Sequence, residues 1–207
     1  MVLFALFLKA AGFGLAVAAP VGPMSLLCMR RTLSQGWRHG LATGGGIALG
    51  DGAYALVAAL GLAGVSGFML AHERPLHLAA GLFLIYLGLR TLRARGEAAP
   101  RSTMQAASSR AALGSAVLLT LTNPPTIIMF AAIFAALAPR SGFDPGTALL
   151  TVAGVFTGSL LWWCGVVAAL SGLRHAIGPR VRVWIDRVAG IGLAAFGAME
   201  LRRAFSR

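Results

Sequence analysis

The chain has 207 residues, of which 57% are hydrophobic and only 12% charged; with a mean hydropathy of +0.79, this excludes an ordinary soluble domain. A formal charge of +12 would fit a nucleic-acid partner only if the arginines shared one surface, and they are instead divided among loops. Cys28 and Cys164 are too few and too far apart for a disulfide framework or a thiolate metal site.

Crossing roughly 30 Å of hydrocarbon takes about 20 apolar residues. Six runs approach or exceed that length: 3–29, 41–70, 76–92, 112–137, 146–173 and 183–201. The first lacks a basic n-region, and its small-residue stretch runs straight into Pro20. It therefore reads as a retained helix rather than a cleaved signal, with Lys9 snorkelling to the interface. Pro20-Val21-Gly22-Pro23 interrupts it. Proline removes a backbone donor and clashes with the preceding turn, so carbonyls are left without helical partners. In lipid each such group costs several kcal/mol, and a break survives only beside protein or a water-lined cavity.

The second run carries Asp51 well inside. A carboxylate at that depth costs about 2.5–3.5 kcal/mol on insertion scales and ordinarily marks a substrate, ion or proton path. Tyr54 lies three residues on, shares the same helix face, and is placed to hydrogen-bond to it. After the third run, a polar basic linker over about 94–110 reads as a solvated loop. The fourth run is interrupted at Asn123-Pro124-Pro125, where Thr120 and Thr122 are available to satisfy freed carbonyls. In the fifth, Trp162 and Trp163 have either a cavity-lining or a packing role. In the sixth, Glu200 and Arg203 sit one turn apart near a helix end and read as an interfacial pair. Asp186 and Arg187 also lie near an end.

The arginines alternate by loop. Arg30, Arg31 and Arg38 follow the first run, Arg90 to Arg110 the third, and Arg174 to Arg187 the fifth. The positive-inside rule then puts those loops in the cytoplasm and the N-terminus outside, with Arg202, Arg203 and Arg207 on the unexpected side.

The halves also echo each other. Ala80-Gly81, Gly88 and Leu92-Arg93 match Ala189-Gly190, Gly197 and Leu201-Arg202, and Gly46, Gly50 and Tyr54 match Gly154, Gly158 and Trp162. Asp51 then corresponds to about Ser159, so the acid breaks the symmetry. With a proline break opening each half, the pattern predicts an all-α integral membrane protein of about six transmembrane helices. They form two inverted three-helix repeats, about 1–93 and 111–203, in a single transmembrane domain spanning 1–207, with helices one and four broken. Paired breaks of this kind point to a transporter's solute site.

The stretches Ala19-Pro20-Val21-Gly22-Pro23-Met24, Arg30-Arg31-Thr32-Leu33, Gly36, Gly40, Ala48-Leu49-Gly50-Asp51 and Leu119-Thr120-Leu121-Thr122-Asn123-Pro124-Pro125-Thr126 together resemble the LysE/RhtB family of amino-acid exporters. The resemblance covers 15–62, 81–93 and 118–137. It implies a bacterial inner-membrane exporter driven by proton-motive force, with Pro20, Gly22, Pro23, Asp51, Asn123 and Pro124 lining the path. Many relatives read Pro-Gly-Pro-Asn, whereas this chain has an inserted Val21 and then Met24; Ser25 is the nearest polar replacement.

The expected function is proton-coupled antiport of an amino acid or similar zwitterionic or cationic solute, with Asp51 carrying the proton. The expected partners are that solute, protons and the bilayer, with a homodimer allowed and no nucleic acid. The reading is of a transporter rather than an enzyme, with no cofactor and no metal. Two alternatives remain. A thiol electron carrier of the CcdA/DsbD kind needs its cysteines to meet within roughly 7 Å, and a metal-ion exporter needs more ligands than one acid.

Overall fold

In a bilayer, backbone polar groups must be satisfied inside the segment itself, so long apolar runs fold as helices. The computed structural model describes residues 2–20, 22–59, 72–93, 108–123, 126, 130, 144–173 and 178–205, and its regular structure among these is entirely helical. The helices are α1 (Val2–Ala18), α2 (Pro23–Gln35), α3 (Trp37–Ala59), α4 (Glu73–Arg93), α5 (Ser109–Leu121), α6 (Pro145–Leu173) and α7 (Pro179–Phe205).

The first apolar run is a bent pair: α1 and α2 meet at 82°. Pro23 opens α2, a position where its missing N–H has no helical partner to lose. The helix ends at Gly36, whose φ of 98° suits glycine, and the Gly36 N–H donates to the Thr32 carbonyl at 3.1 Å. Asp144 opens α6 by accepting from the Gly146 and Thr147 amides at 2.9 and 3.2 Å, and from the Thr147 hydroxyl at 2.6 Å. The bonds from Thr147, hydroxyl first, hold the Asp144 carboxyl below its ordinary range.

Among the described residues, Trp37–Ala59, Arg74–Arg93 and Pro145–Leu173 are long and apolar enough to cross a membrane, and the α1/α2 pair adds a fourth crossing if it is one span. Helix α5, at 13 residues, reaches only about 20 Å; the remainder of the expected fourth span, with Pro124 and Pro125, falls mostly outside the described residues. Helix α7 is 27 residues long but too charged to pass as an apolar span.

Two bodies emerge from the packing. Helix α1 packs on α6, α6 on α3, and α3 on α5, while α4 and α7 pair with each other; α2 has its main contacts with both groups. Small residues set these crossings, as they do where helices associate without a hydrophobic drive. Gly81 meets Gly197 and Gly88 meets Gly190 between α4 and α7. Between α1 and α6, a Cβ added at Gly158 would fall on the Ala11 backbone, and one at Gly14 on that of Val155.

Exchanging α1 with α5, α3 with α6 and α4 with α7 returns the same main pairs. The α1–α6 contact becomes α5–α3, and the α3–α6 and α4–α7 contacts map onto themselves.

Arg30 Nε lies 3.2 Å from Asp186 Oδ1, joining α2 to α7. Asp186 thus pairs across the fold rather than only with its neighbour Arg187. Arg31 is buried: Nη1 donates to Thr43 Oγ1 at 3.1 Å and the Ala112 carbonyl at 3.0 Å, and Nη2 donates to Ser115 Oγ at 2.9 Å. Arg31 therefore ties α2 to both α3 and α5.

Candidate functional site

The interruption between α1 and α2 leaves unpaired carbonyls inside the fold, and one is satisfied locally: Ser25 Oγ donates to the Pro20 carbonyl at 3.1 Å. The second interruption is handled similarly. The Asn123 N–H donates to the Thr120 carbonyl at 3.2 Å, the Asn123 carbonyl accepts from the Thr126 amide at 3.0 Å, and Asn123 Nδ2 donates to Thr126 Oγ1 at 3.0 Å.

Both interruptions open on one cavity of about 300 Å³, the small end of the range for ligand pockets. Pro20, Gly22, Pro23 and Ser25 reach it from the α1/α2 break, Asp51 from α3, and Asn123 from beyond α5. Six of the eight sequence-predicted site residues therefore line one space, although they come from three separate stretches of chain. Pro124 lies outside the described residues. The opposite wall belongs to the other body, with Ala80 and Leu84 from α4, and Phe196, Met199, Glu200 and Arg203 from α7. The cavity sits at the seam between the two bodies.

Asp51 is 2% exposed, and Ser159 Oγ of α6 donates to its Oδ2 at 2.7 Å. In the sequence, Ser159 is about the position that the expected repeat sets opposite Asp51. Gly44 leaves room for Trp163, one turn beyond Ser159 on α6. The Trp163 side chain is buried on the cavity wall, and its Nε1 has no hydrogen-bond partner among the described residues. Of the two roles open to this indole, packing and cavity lining, it has both.

Tyr54 departs from expectation. It does not line the cavity, and its hydroxyl donates to the Leu121 carbonyl at 2.7 Å rather than to Asp51. The physical reason lies in the second break: residue 125 is proline and has no N–H to give the carbonyl four residues earlier. Tyr54 supplies the donor instead, and its ring stacks on Phe130 with centroids 5.7 Å apart. Tyr54→Phe should leave that carbonyl unsatisfied and cost about 1–3 kcal/mol. A lowered thermal midpoint in detergent would register it, and an unchanged midpoint would contradict this role.

Sequence reasoning missed the polar group on α7. Glu200 is buried, with Oε2 lying 2.5 Å from His77 Nδ1 of α4 and Oε1 2.9 Å from Arg203 Nη1. The expected pair with Arg203 exists, and both residues stand on the cavity wall. An acid within an apolar run, four turns beyond Asp186, was the available signal. The cysteines take no part: Cys28 and Cys164 are both free, neither lines the cavity, and Cys28 Sγ points to the Gly40 carbonyl at 3.7 Å.

Comparison with known proteins places this arrangement. Residues 15–203 match the family described as LysE type translocator. A Bacillus subtilis protein named for amino acid efflux, YcgF, is 28% identical over 198 residues, covering 93% of either chain. The chemotactic transduction protein ChpE of Pseudomonas aeruginosa is 32% identical over 173 residues, or 81% of this chain and 83% of ChpE. The membrane protein YahN of Escherichia coli is 27% identical over 189 residues, or 87% of this chain and 81% of YahN. No solved structure matches significantly. With a match running almost end to end through an all-helical, multi-pass membrane protein, the chain belongs to the LysE type translocator family.

Proposed function

We propose that this translocator exports an amino acid, or a similar small zwitterionic or cationic solute, across the bacterial inner membrane in exchange for protons. The observation that carries the reading is the shared cavity: both helix interruptions and the one acid of α3 face the same space. The efflux named for the YcgF relative supports the direction.

In this mechanism the interrupted backbone around Gly22 and Asn123 offers the solute polar groups that a continuous helix would keep to itself. The Trp163 N–H, unpartnered at the wall, is a further donor. Asp51 carries the proton. Ionised, it accepts from Ser159; protonated, it becomes a donor. A proton or solute biases the carrier only through different affinities for its two states, so Asp51 must meet different surroundings when the cavity faces the other side.

Exchanging the halves preserves the α1–α6/α3–α5, α3–α6 and α4–α7 pairs, which supports two inverted three-helix repeats; the contacts of α2 have no counterpart among the described residues. Asp51 and Ser159 then meet at the pseudo-two-fold axis. Alternating access follows as rocking of the α4/α7 pair against the four-helix body, with α2 between them.

The direct test is amino-acid efflux from loaded proteoliposomes under an imposed pH gradient. Neutral, polar and cationic amino acids are loaded in turn. Efflux that grows with an inward proton gradient is the expected result. If correctly folded protein moves none of them, the amino-acid reading fails.

A further inference from the structure

The α7 wall carries charge that the proton-carrying role of Asp51 does not use. Glu200 is 5% exposed, and both its oxygens are engaged, one by His77 and one by Arg203. Arg74 lies at the same end, its Nε donating to the Ala204 carbonyl at 3.0 Å. The pair is lopsided: the Glu200 side chain is 7% exposed and that of Arg203 45%, yet both reach the cavity. A purely structural bridge between α4 and α7 would serve anywhere along that crossing. This one stands on the solute-facing wall, with its acid fixed by His77 and its cation at the open edge.

We propose that Glu200 and Arg203 are the head-group site for an α-amino acid, which binds by exchanging their internal ion pair for two pairs with the solute. The solute carboxylate takes the Arg203 guanidinium, whose planar fork suits a carboxylate, and the solute ammonium takes Glu200 Oε1. His77 keeps Oε2 and holds the acid in place.

The exchange keeps a cation on the buried Glu200 carboxylate, whereas removing its partner without replacement is the costly outcome for a buried charge. A solute bearing only an ammonium would take Glu200 Oε1 from Arg203 without offering the guanidinium a carboxylate in exchange. The site therefore selects for both charges on one small molecule. Asp51, on the other body, stays available for the proton. This assignment rests on the proposed amino-acid export and names the groups that read the solute.

The test measures efflux KM and kcat in proteoliposomes for leucine, threonine and lysine, each beside its carboxamide. Wild type, Arg203→Gln, Arg203→Lys and Glu200→Gln are compared. Wild type should favour each transported acid over its amide. Arg203→Gln should raise KM for the acid by roughly tenfold to a hundredfold, the loss of one charge-assisted contact, and erase the preference over the amide. Arg203→Lys should restore part of that preference. Glu200→Gln should raise KM for acid and amide alike, since both carry the ammonium.

If wild type transports an amino acid and Arg203→Gln, with unchanged elution and thermal midpoint, still prefers the acid, the head-group site is wrong while the export reading stands. If wild type transports no amino acid, both fall together.

Discussion

Asp51→Asn should reduce gradient-driven efflux to the level of protein-free vesicles while leaving solute exchange across equal pH largely intact. Asparagine has nearly the same shape and still offers an oxygen to Ser159 Oγ, now 2.7 Å from Asp51 Oδ2. It cannot release or take up a proton. The substitution thus separates packing from titration at a site that is 2% exposed. Ser159→Ala keeps the titratable group and should retain gradient-driven efflux at a reduced rate. The measurement is initial efflux against imposed pH difference for the three proteins, followed by counterflow at equal pH. Full gradient-driven efflux from Asp51→Asn would remove Asp51 from the coupling step.

Gly158→Val is expected to have the largest effect on stability. The first side-chain atom would fall on the Ala11 backbone of α1, and backbone cannot turn aside as a flexible side chain can. Helices α1 and α6 would have to separate along one of the closest seams of the four-helix body. Overpacking typically costs about 1–3 kcal/mol and occasionally more; an impact on backbone belongs at or above the upper end. Gly165→Ala is the matched control on the same helix. An added Cβ there meets nothing within 4 Å, and alanine gains up to about 1 kcal/mol in helix propensity. Thermal midpoints in detergent should therefore move in opposite directions, steeply down for Gly158→Val and level or slightly up for Gly165→Ala. Equal midpoints would mean that α1 does not pack on α6 as described.

What could be read from the sequence follows from what a bilayer penalises. A carboxylate at Asp51 and prolines at 20, 23, 124 and 125 are expensive in an apolar run. Their presence signals a site before any contact is known, and those among them that are described, Pro20, Pro23 and Asp51, do face one cavity. Gly81, Gly88, Gly190 and Gly197 stood out in the sequence only as a repeated pattern; that they bring the α4 and α7 backbones together is seen in the fold.

The partners were not legible. Tyr54 shares a helix face with Asp51, whereas its actual acceptor is a main-chain oxygen 67 residues away; Pro125 marks that oxygen as short of a donor, but nothing in the sequence says which side chain reaches it. Glu200 and Arg203, one turn apart near a helix end, look like countless surface pairs. Only His77, 123 residues distant, and the wall they share with Phe196 and Met199 set them apart. The 82° bend was equally invisible: prolines mark where a helix stops, but the direction in which it resumes depends on what α2 packs against.

Among the described residues, α2 is the main packing connection between the two bodies, a short helix with Arg30 and Arg31 toward its far end. A solute that touches Asp51 or the interrupted backbone on one side and Arg203 on the other is a second joint across the same gap. On the proposed export, emptying the carrier would remove that joint and leave the vacant protein its loosest form. The cargo is then a temporary part of the architecture, and the moment of release is also the moment at which the two bodies are freest to swing.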